Sequence, residues 1–387
     1  MFSTWESLPE MIVSFCTIVK NEQHNLPRCL SSIQPYVDEI IVVDTGSDDK
    51  TIEVAHQYGA QVKHFTWCDD FAAARNYAIN QAAGDWILML DADEELVVET
   101  QDWHNQLTLA PDMLAYWLFL TDIHQPITAL PTLRLFRNLP ELRYTGRYHE
   151  QLKYHNQLIK DSAIKTLPGV KILHYGYSNE QLLEKHLTRD IPLLERVRQQ
   201  ETLSLLLLGT LADAYLRTDQ LEKAQECWAE AFERLTPNLI TGTLPEETAR
   251  LRALLFTIGA NFLHAHQDYE TTLLLCQRGL EWFPNYPPLN HLTGILLREL
   301  GFPLGATAYF EKCLQMGQDR SYDKREPFDQ HFMTVLPSCD LGLTYLELKQ
   351  FDKAMEAFKL ALSFDPDYAP AKENLAAVSQ RFHEKLT

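Results

Sequence analysis

From residue 11 to residue 90 the chain repeats one alternation: a short β-rich run, then a segment whose apolar residues recur at helical spacing. The runs are Met11–Val19, Glu39–Asp44, Gln61–Phe65 and Asp85–Leu90. Each is short enough for a buried strand, and the periodicity between them reads as helix. Asp48 or Asp49 can cap a helix running to about Tyr58, with Gly59 just past its end. Asp70 can cap a second, FAAARNYAINQAA, which stops at Gly84. Strand–helix–strand units at this pitch predict a parallel sheet with right-handed crossovers. Ligands of such sheets sit beyond the C-terminal strand ends. The segments that follow those ends are Lys20-Asn21-Glu22, Asp44-Thr45-Gly46-Ser47-Asp48 and Asp91-Ala92-Asp93-Glu94, so polar residues gather along one edge.

The pattern changes twice further on. Tyr116–Leu120, Thr132–Phe136, Tyr144–Tyr148 and Val170–Tyr175 read as short strands with irregular connections, a smaller mixed region that completes the first domain. Beyond about Glu180 the chain is helical and repeats itself. In Ser338–Pro370, Gly342, Tyr345, Ala354, Phe358, Ala361 and Pro366 fall at tetratricopeptide spacing. Ala212, Tyr215, Ala224, Trp228 and Ala231 form a second copy, with Pro237 one residue late. Gly294, Ala306 and Phe310 form a partial one, and Gly259, Phe262 and Pro284 a degenerate one. Small residues are expected where two helices of a pair approach closely, and aromatics where the next pair packs. Asn238–Glu247 and Gln318–Thr334 are read as insertions that interrupt the array.

Of the 387 residues, 45% are hydrophobic and 22% charged, enough apolar material for a true core. The net charge of −19 is spread over both halves, which argues against a nucleic-acid or anionic-membrane binder. An anionic substrate would then need local cations, from a metal or from a few placed arginines. The seven cysteines are odd in number and contain no CxxC pair, which predicts reduced thiols rather than a disulfide or zinc framework. No signal-peptide pattern is seen, and the longest apolar runs are too short to cross a bilayer. The expected location is cytoplasmic, at most peripheral to a membrane, with no transmembrane segment.

The strongest local chemistry is Leu88-Met89-Leu90-Asp91-Ala92-Asp93-Glu94-Glu95: an apolar strand delivers two carboxylates, one residue apart, into a loop. Mg²⁺ or Mn²⁺ takes oxygen ligands and shares them with substrate phosphates. The alternative is a solvated acidic turn. Arg75, on the Asp70-capped helix beside Ala72, Ala73 and Ala74, offers a guanidinium for diphosphate oxygens, or a surface salt bridge.

On four segments the chain resembles a family 2 inverting glycosyltransferase of the GT-A fold: TIVKNEQHNLPRCLSSI (Thr17–Ile33), VDEIIVVDTGSDDKTIEVA (Val37–Ala55), DDFAAARNYAI (Asp69–Ile79) and GDWILMLDADEEL (Gly84–Leu96). RLFRN, YTGRYHEQL and KILHYGY resemble more weakly the acceptor half of the branch that often carries tetratricopeptide tails. The resemblance covers roughly residues 10–180 and implies an α/β GT-A-type (Rossmann-like, mostly parallel) domain over 1–180. Its nucleotide-sugar half spans about 10–115 and its acceptor half 116–180. A linking helix over 181–200 and an all-α tetratricopeptide solenoid over 201–387 follow.

The activity implied is transfer of a sugar, with inversion, from a nucleotide diphosphate donor, UDP-sugar by default, with Mn²⁺ or Mg²⁺. By the same resemblance Glu22 and Asp44 contact the nucleoside, and Val19, Lys20, Asn21, Gly46 and Ala92 line its pocket. Arg75 meets the diphosphate, Asp91 and Asp93 serve donor and metal, and Glu150 is the base. His174 is a further metal ligand, with His149 as competitor. Asp44 can instead cap the Thr45-Gly46-Ser47 turn, Asp70 reads as a cap rather than a ligand contact, and Arg134, Arg137 and Arg147 have unreadable targets. The chain lacks the QxxRW signature of processive synthases, so a single transfer onto a peptide, protein, lipid-linked sugar or small molecule is expected, with a protein partner on the repeats. Two other readings stand beside it: a scaffold carrying a relic GT-A domain, and a nucleotidyltransferase, although Lys20-Asn21-Glu22 is not the glycine-rich phosphate loop that chemistry favours.

Overall fold

The computed structural model describes residues 12–100, 103–108, 112–176 and 179–384. They fall into two compact units: one holds residues through Gln125 and Ala129–Leu182, the other Pro126–Thr128 and the residues from Leu183 on.

The first unit is built on strands β1 (Val13–Val19), β2 (Glu39–Asp44), β3 (Gln61–His64), β4 (Trp86–Met89), β5 (Glu94–Val98), β6 (Ala115–Asp122), β7 (Leu130–Arg137), β8 (Leu142–Thr145), β9 (Gln151–Tyr154), β10 (Gln157–Leu158) and β11 (Ile164–His174). Helices α1 (Leu26–Ile33), α2 (Thr51–Gln57), α3 (Phe71–Ile79) and α4 (Trp103–Thr108) connect or flank them. Eight strands form one sheet in the order β3-β2-β1-β4-β7-β6-β11-β5, and β10-β9-β8 form a small antiparallel one. The β3-β2-β1-β4 half is parallel. The other half is mixed: β6 and β11 pair in parallel, whereas β4–β7, β6–β7 and β11–β5 are antiparallel. The sheet is mostly parallel as expected, with four of its seven pairings parallel, and its three antiparallel pairings make it mixed. The cause is connection length: β7 follows β6 across a short loop, and a short loop can only return antiparallel.

Alternate residues of the central strands face opposite layers. Val13, Phe15, Val42, Trp86 and Leu88 pack with Leu26, Leu30 and Ile33 of α1. Cys16, Ile41, Val43, Ile87 and Met89 pack with Ala72, Ala78 and Ile79 of α3. Both faces are covered, so these strands are apolar throughout rather than alternating.

Asp70 caps α3 as the sequence suggests, whereas the N-cap of α2 is Lys50, without a side-chain cap bond, rather than Asp48 or Asp49. Asp70 accepts the Ala73 N–H at 2.8 Å. Asp49 accepts the Thr51 N–H at 2.9 Å ahead of α2, and Gly59 follows that helix at φ +75°. The helix α3 is shorter than expected. Past Ile79 the chain tightens, with Gln81 and Ala82 donating three residues back to Ala78 and Ile79, so 80–82 form a turn before Gly84. Glu94, expected in a loop, begins β5, and the strand expected over Tyr144–Tyr148 is β8, ending at Thr145. Of Met11–Val19, Met11 lies outside the described residues.

The second unit contains α5 (Asn179–Lys185, reaching back into the first), α6 (Ile191–Gln200) and then the helices α7 (Leu205–Arg217), α8 (Leu221–Thr241), α9 (Leu251–His266), α10 (Tyr269–Trp282), α11 (Pro287–Glu299), α12 (Pro303–Asp319), α13 (Val335–Glu347), α14 (Phe351–Phe364) and α15 (Ala369–Glu384). The single linking helix expected over 181–200 is two, joined by a π-turn at His186–Asp190. The expected insertion at Asn238 is also smaller, because α8 runs through Pro237 to Thr241 and stops at left-handed Gly242.

The repeat logic is visible in packing. A Cβ on Gly342 would lie 2.5 Å from the Phe358 ring, and one on Gly294 2.6 Å from the Phe310 ring. Each aromatic stands sixteen residues after its glycine, and Ala212 and Trp228 share that spacing. In the second insertion, buried Asp323 and Glu326 hold the Arg252 guanidinium, each at 2.8 Å. Among the described residues no helix is long and apolar enough to cross a membrane. All seven cysteines are free; Cys68 is exposed and the other six are buried.

Candidate active site

Strands β1, β2 and β3 end together, Val19 pairing with Asp44 and Asp44 with His64, and β4 ends three residues short of them, with Met89 opposite Cys16. The polar segments that follow are tied to one another. Asn21, in the left-handed region at φ 59°, donates its N–H to Ser47 Oγ at 2.9 Å, and its side-chain carbonyl accepts the Asp48 N–H at 2.9 Å. The Glu22 N–H donates to Thr51 Oγ1 at 2.7 Å, and its carboxylate accepts from Asn25 at 3.0 Å. Asp44 is buried and accepts the Gly46 and Ser47 N–H groups, each at 3.1 Å, so the turn-cap role occurs. Gly46, at φ +112°, has open space where a side chain would stand. Lys20 is exposed, while Val19 and Ala92 are buried.

Beyond β4 lies a chain of alternating charges. The Arg75 Nε donates to Glu150, and its Nη2 donates to Asp91 Oδ1 at 2.7 Å. Arg134, on β7, donates to Asp91 Oδ2 at 2.7 Å and to Glu94 at 2.6 Å. The order is therefore Glu150–Arg75–Asp91–Arg134–Glu94, and both arginines are largely buried. Burial works against the Asp91 anion, but Arg134 and Arg75 outweigh it and hold its carboxyl well below the usual carboxylate range. Glu94 goes the other way: burial, helped by the Asp91 charge and only partly offset by Arg134, pushes it up to about 7. Tyr144 lies beneath Arg75, the guanidinium 5.6 Å from its ring centre, and burial pushes its phenol up to about 12. Arg75 Nη1, Arg134 Nε and Tyr144 Oη are buried without a hydrogen-bond partner among the described residues.

A second cluster adjoins it. His174 Nε2 lies 3.4 Å from Asp93 Oδ2, and its Nδ1 lies 3.0 Å from Asp122 Oδ2. Burial disfavours the imidazolium, but Asp93 and Asp122 outweigh that and raise His174 to about 9. The arrangement is the one in which a carboxylate on one ring nitrogen fixes the imidazole and leaves the other nitrogen for a metal. Among the described residues no three His, Cys, Asp or Glu form a closed metal cage. Asp93 and His174 face each other at the edge of this cluster. Asp91 stands apart from that pair, both of its oxygens being taken by arginines. His149 is exposed, at φ 52° on the loop that carries Glu150.

The structure thus brings together Asp93 with His174, and Arg75 with Asp91 and Glu150. It keeps Glu22 in the loop after β1 and Asp44 at the last position of β2. Sequence reasoning left out the roles of Arg134, Glu94, Asp122 and Tyr144. Glu94 was in view within DADEE, but its inward orientation depends on β5, and Arg134 meets Asp91 only because β7 runs antiparallel to β4.

The chain is similar to known proteins in two regions. Residues 14–101 match the family described as glycosyl transferase family 2, and residues 338–368 match the tetratricopeptide repeat. A TPR repeat-containing protein of Synechococcus elongatus is 41% identical over 210 residues, 53% of this chain and 50% of that protein. The glycosyltransferase SunS of Bacillus subtilis is 27% identical over 48% of this chain and 44% of its own length. An uncharacterised glycosyltransferase of Rickettsia prowazekii is 39% identical over 45% of this chain and 63% of its own. Among solved structures, Staphylococcus aureus TarS aligns over 68% of this chain and 54% of its own, at 15% identity and a TM-score of 0.38. The chain spans about half the length of the first curated relatives it matches. It carries an N-terminal glycosyl transferase family 2 domain and a C-terminal tetratricopeptide repeat.

Proposed function

We propose that this chain, with its family 2 glycosyltransferase domain, moves a sugar from a nucleoside diphosphate donor to an acceptor in one inverting displacement. The observation that carries the reading is the pair of adjoining clusters beyond β4: a carboxylate–imidazole pair suited to a divalent cation, and beside it an arginine that links two further carboxylates. Val19, Lys20, Asn21, Glu22, Asp44, Gly46 and Ala92 form the nucleoside side of the pocket. Buried Asp44 and the ordered Asn21–Ser47 turn contacts support a preformed wall there. Asp93 and His174 would hold Mn²⁺ or Mg²⁺, which when bound offsets the charge of the diphosphate.

Inversion needs a proton acceptor on the acceptor's side of the sugar, and Glu150 serves as that base. Arg75, buried and permanently charged, stabilises negative charge that builds on the departing diphosphate. UDP is the default nucleotide. The tetratricopeptide helices recruit the acceptor or a partner protein, and the acceptor is a peptide, protein, lipid-linked sugar or small molecule.

The test is incubation of the protein with UDP-, GDP- and dTDP-sugars and Mn²⁺ or Mg²⁺. Metal-dependent release of nucleoside diphosphate is expected, and Asp93→Ala should abolish metal-dependent donor binding. Release of pyrophosphate would make the chain a nucleotidyltransferase, and no turnover of any donor would leave a scaffold.

A further inference from the structure

We propose that the donor's diphosphate and Glu150 compete for Arg75, so that donor arrival releases the base. This rests on the glycosyltransferase reading above. Without donor, Arg75 is fully engaged along one edge: Nε with Glu150 and Nη2 with Asp91.

Three observations give the exchange a route. The first is charge: the alternating chain counts two guanidiniums against three carboxyls, so it has no net positive charge to offer a diphosphate. Two anions brought side by side in a buried site are costly. An incoming diphosphate is accommodated best if one resident carboxylate withdraws. Asp91 is held from both sides, by Arg75 and Arg134, whereas among the described residues Glu150 forms its ion pair with Arg75. Glu150 is thus the carboxylate that moves, and Arg134 keeps Asp91 neutralised while Arg75 changes partner.

The second is an unspent donor. Arg75 is 5% exposed, and its buried Nη1 has no hydrogen-bond partner among the described residues, so the two ion pairs do not satisfy this guanidinium. The Nε–Nη2 edge that Glu150 shares with Asp91 is the one suited to bidentate binding of a phosphate. The third is the hinge. Glu150 ends the loop between β8 and β9, where Gly146 sits at φ +101° and His149 at φ 52°. Gly146 is exposed and lies in a conformation that side chains resist. A rotation there swings Glu150 without disturbing either strand.

The test is calorimetric titration of the full chain with UDP in the presence of Mn²⁺, repeated with GDP and dTDP, for the natural protein and for Glu150→Gln. Removing the competing charge should tighten nucleoside diphosphate binding on the order of tenfold. Equal affinity in the two proteins overturns the exchange, because Nη1 then suffices, and leaves the glycosyltransferase reading standing. Binding of no nucleoside diphosphate to either protein overturns that reading itself and the exchange with it. A crystal structure of the natural protein with UDP and Mn²⁺ checks the same point independently of any variant. The Arg75 Nε–Glu150 pair should be separated by more than about 4 Å, beyond ion-pair range, and an intact pair refutes the proposal.

Discussion

At the scale of single residues, Glu150 and Arg134 make opposite predictions. Glu150→Gln preserves the shape of the site but removes the proton acceptor. Sugar transfer should fall by roughly 10²–10⁴-fold, measured with whichever acceptor supports turnover by the natural protein, and near-normal transfer would move the base elsewhere. Arg134→Met instead strands Glu94, an enclosed carboxyl, and leaves Asp91 to Arg75. Breaking such a buried pair costs about 3–5 kcal/mol, so the variant should melt earlier by calorimetry; an unchanged transition would mean the network contributes nothing to stability. The sequence made Asp70 legible as a cap and pointed to Asp93 and His174, because a carboxylate after an apolar run and a histidine at a strand end are local signals. It could not show Arg134 or Asp122, since their partners lie more than forty residues away and meet them only through antiparallel β7 and parallel β6.

Among elements, the glycine–aromatic contacts of the helical unit decide between two effects of known size. Gly342→Ala should gain about 1 kcal/mol from helix propensity. The new methyl group, however, would sit 2.5 Å from a fully buried phenyl ring. Overpacking of this kind costs typically 1–3 kcal/mol, and at that distance it outweighs the gain. A melting point below that of the natural chain is expected, with partial recovery when Phe358→Leu is added; a stabilised Gly342→Ala would refute the close approach. These contacts were legible from spacing alone because small and aromatic residues recur at a fixed offset. The boundaries were less so. The loss of the last turn of α3 and the start of β5 at Glu94 are set by hydrogen bonds, such as the Asp91 N–H to Glu94 at 2.9 Å, that no window of sequence contains. The sheet's mixed direction depends likewise on which strands become neighbours, and periodicity does not encode neighbours.

The two units of the whole molecule differ in what holds them. The helical unit buries a charged knot, Arg252 with Asp323 and Glu326, that joins α9 to the segment after α12. Burial disfavours the Asp323 anion, yet hydrogen bonds and charge from Arg325 and Arg252 overcome this and lower it to about 2. A carboxyl depressed from the ordinary value near 3.9 stabilises the fold above that value and loses the contribution as pH falls toward 2. The amount is on the order of 2 kcal/mol. Asp323→Asn should therefore be less stable than the natural chain at pH 6, with the gap closing between about pH 4 and pH 2 in denaturant titrations. A gap independent of pH would remove the ion pair from the account.

Six cysteines are sealed inside, and burial pushes Cys276, for example, up to about 11. Cys68 alone is open, two residues ahead of the cap of the helix that carries Arg75. A maleimide fluorophore would therefore settle at one address on the unaltered chain. A single dye at that address would sit just ahead of the Arg75 helix, and its emission on addition of nucleotide would read out the proposed donor binding in real time.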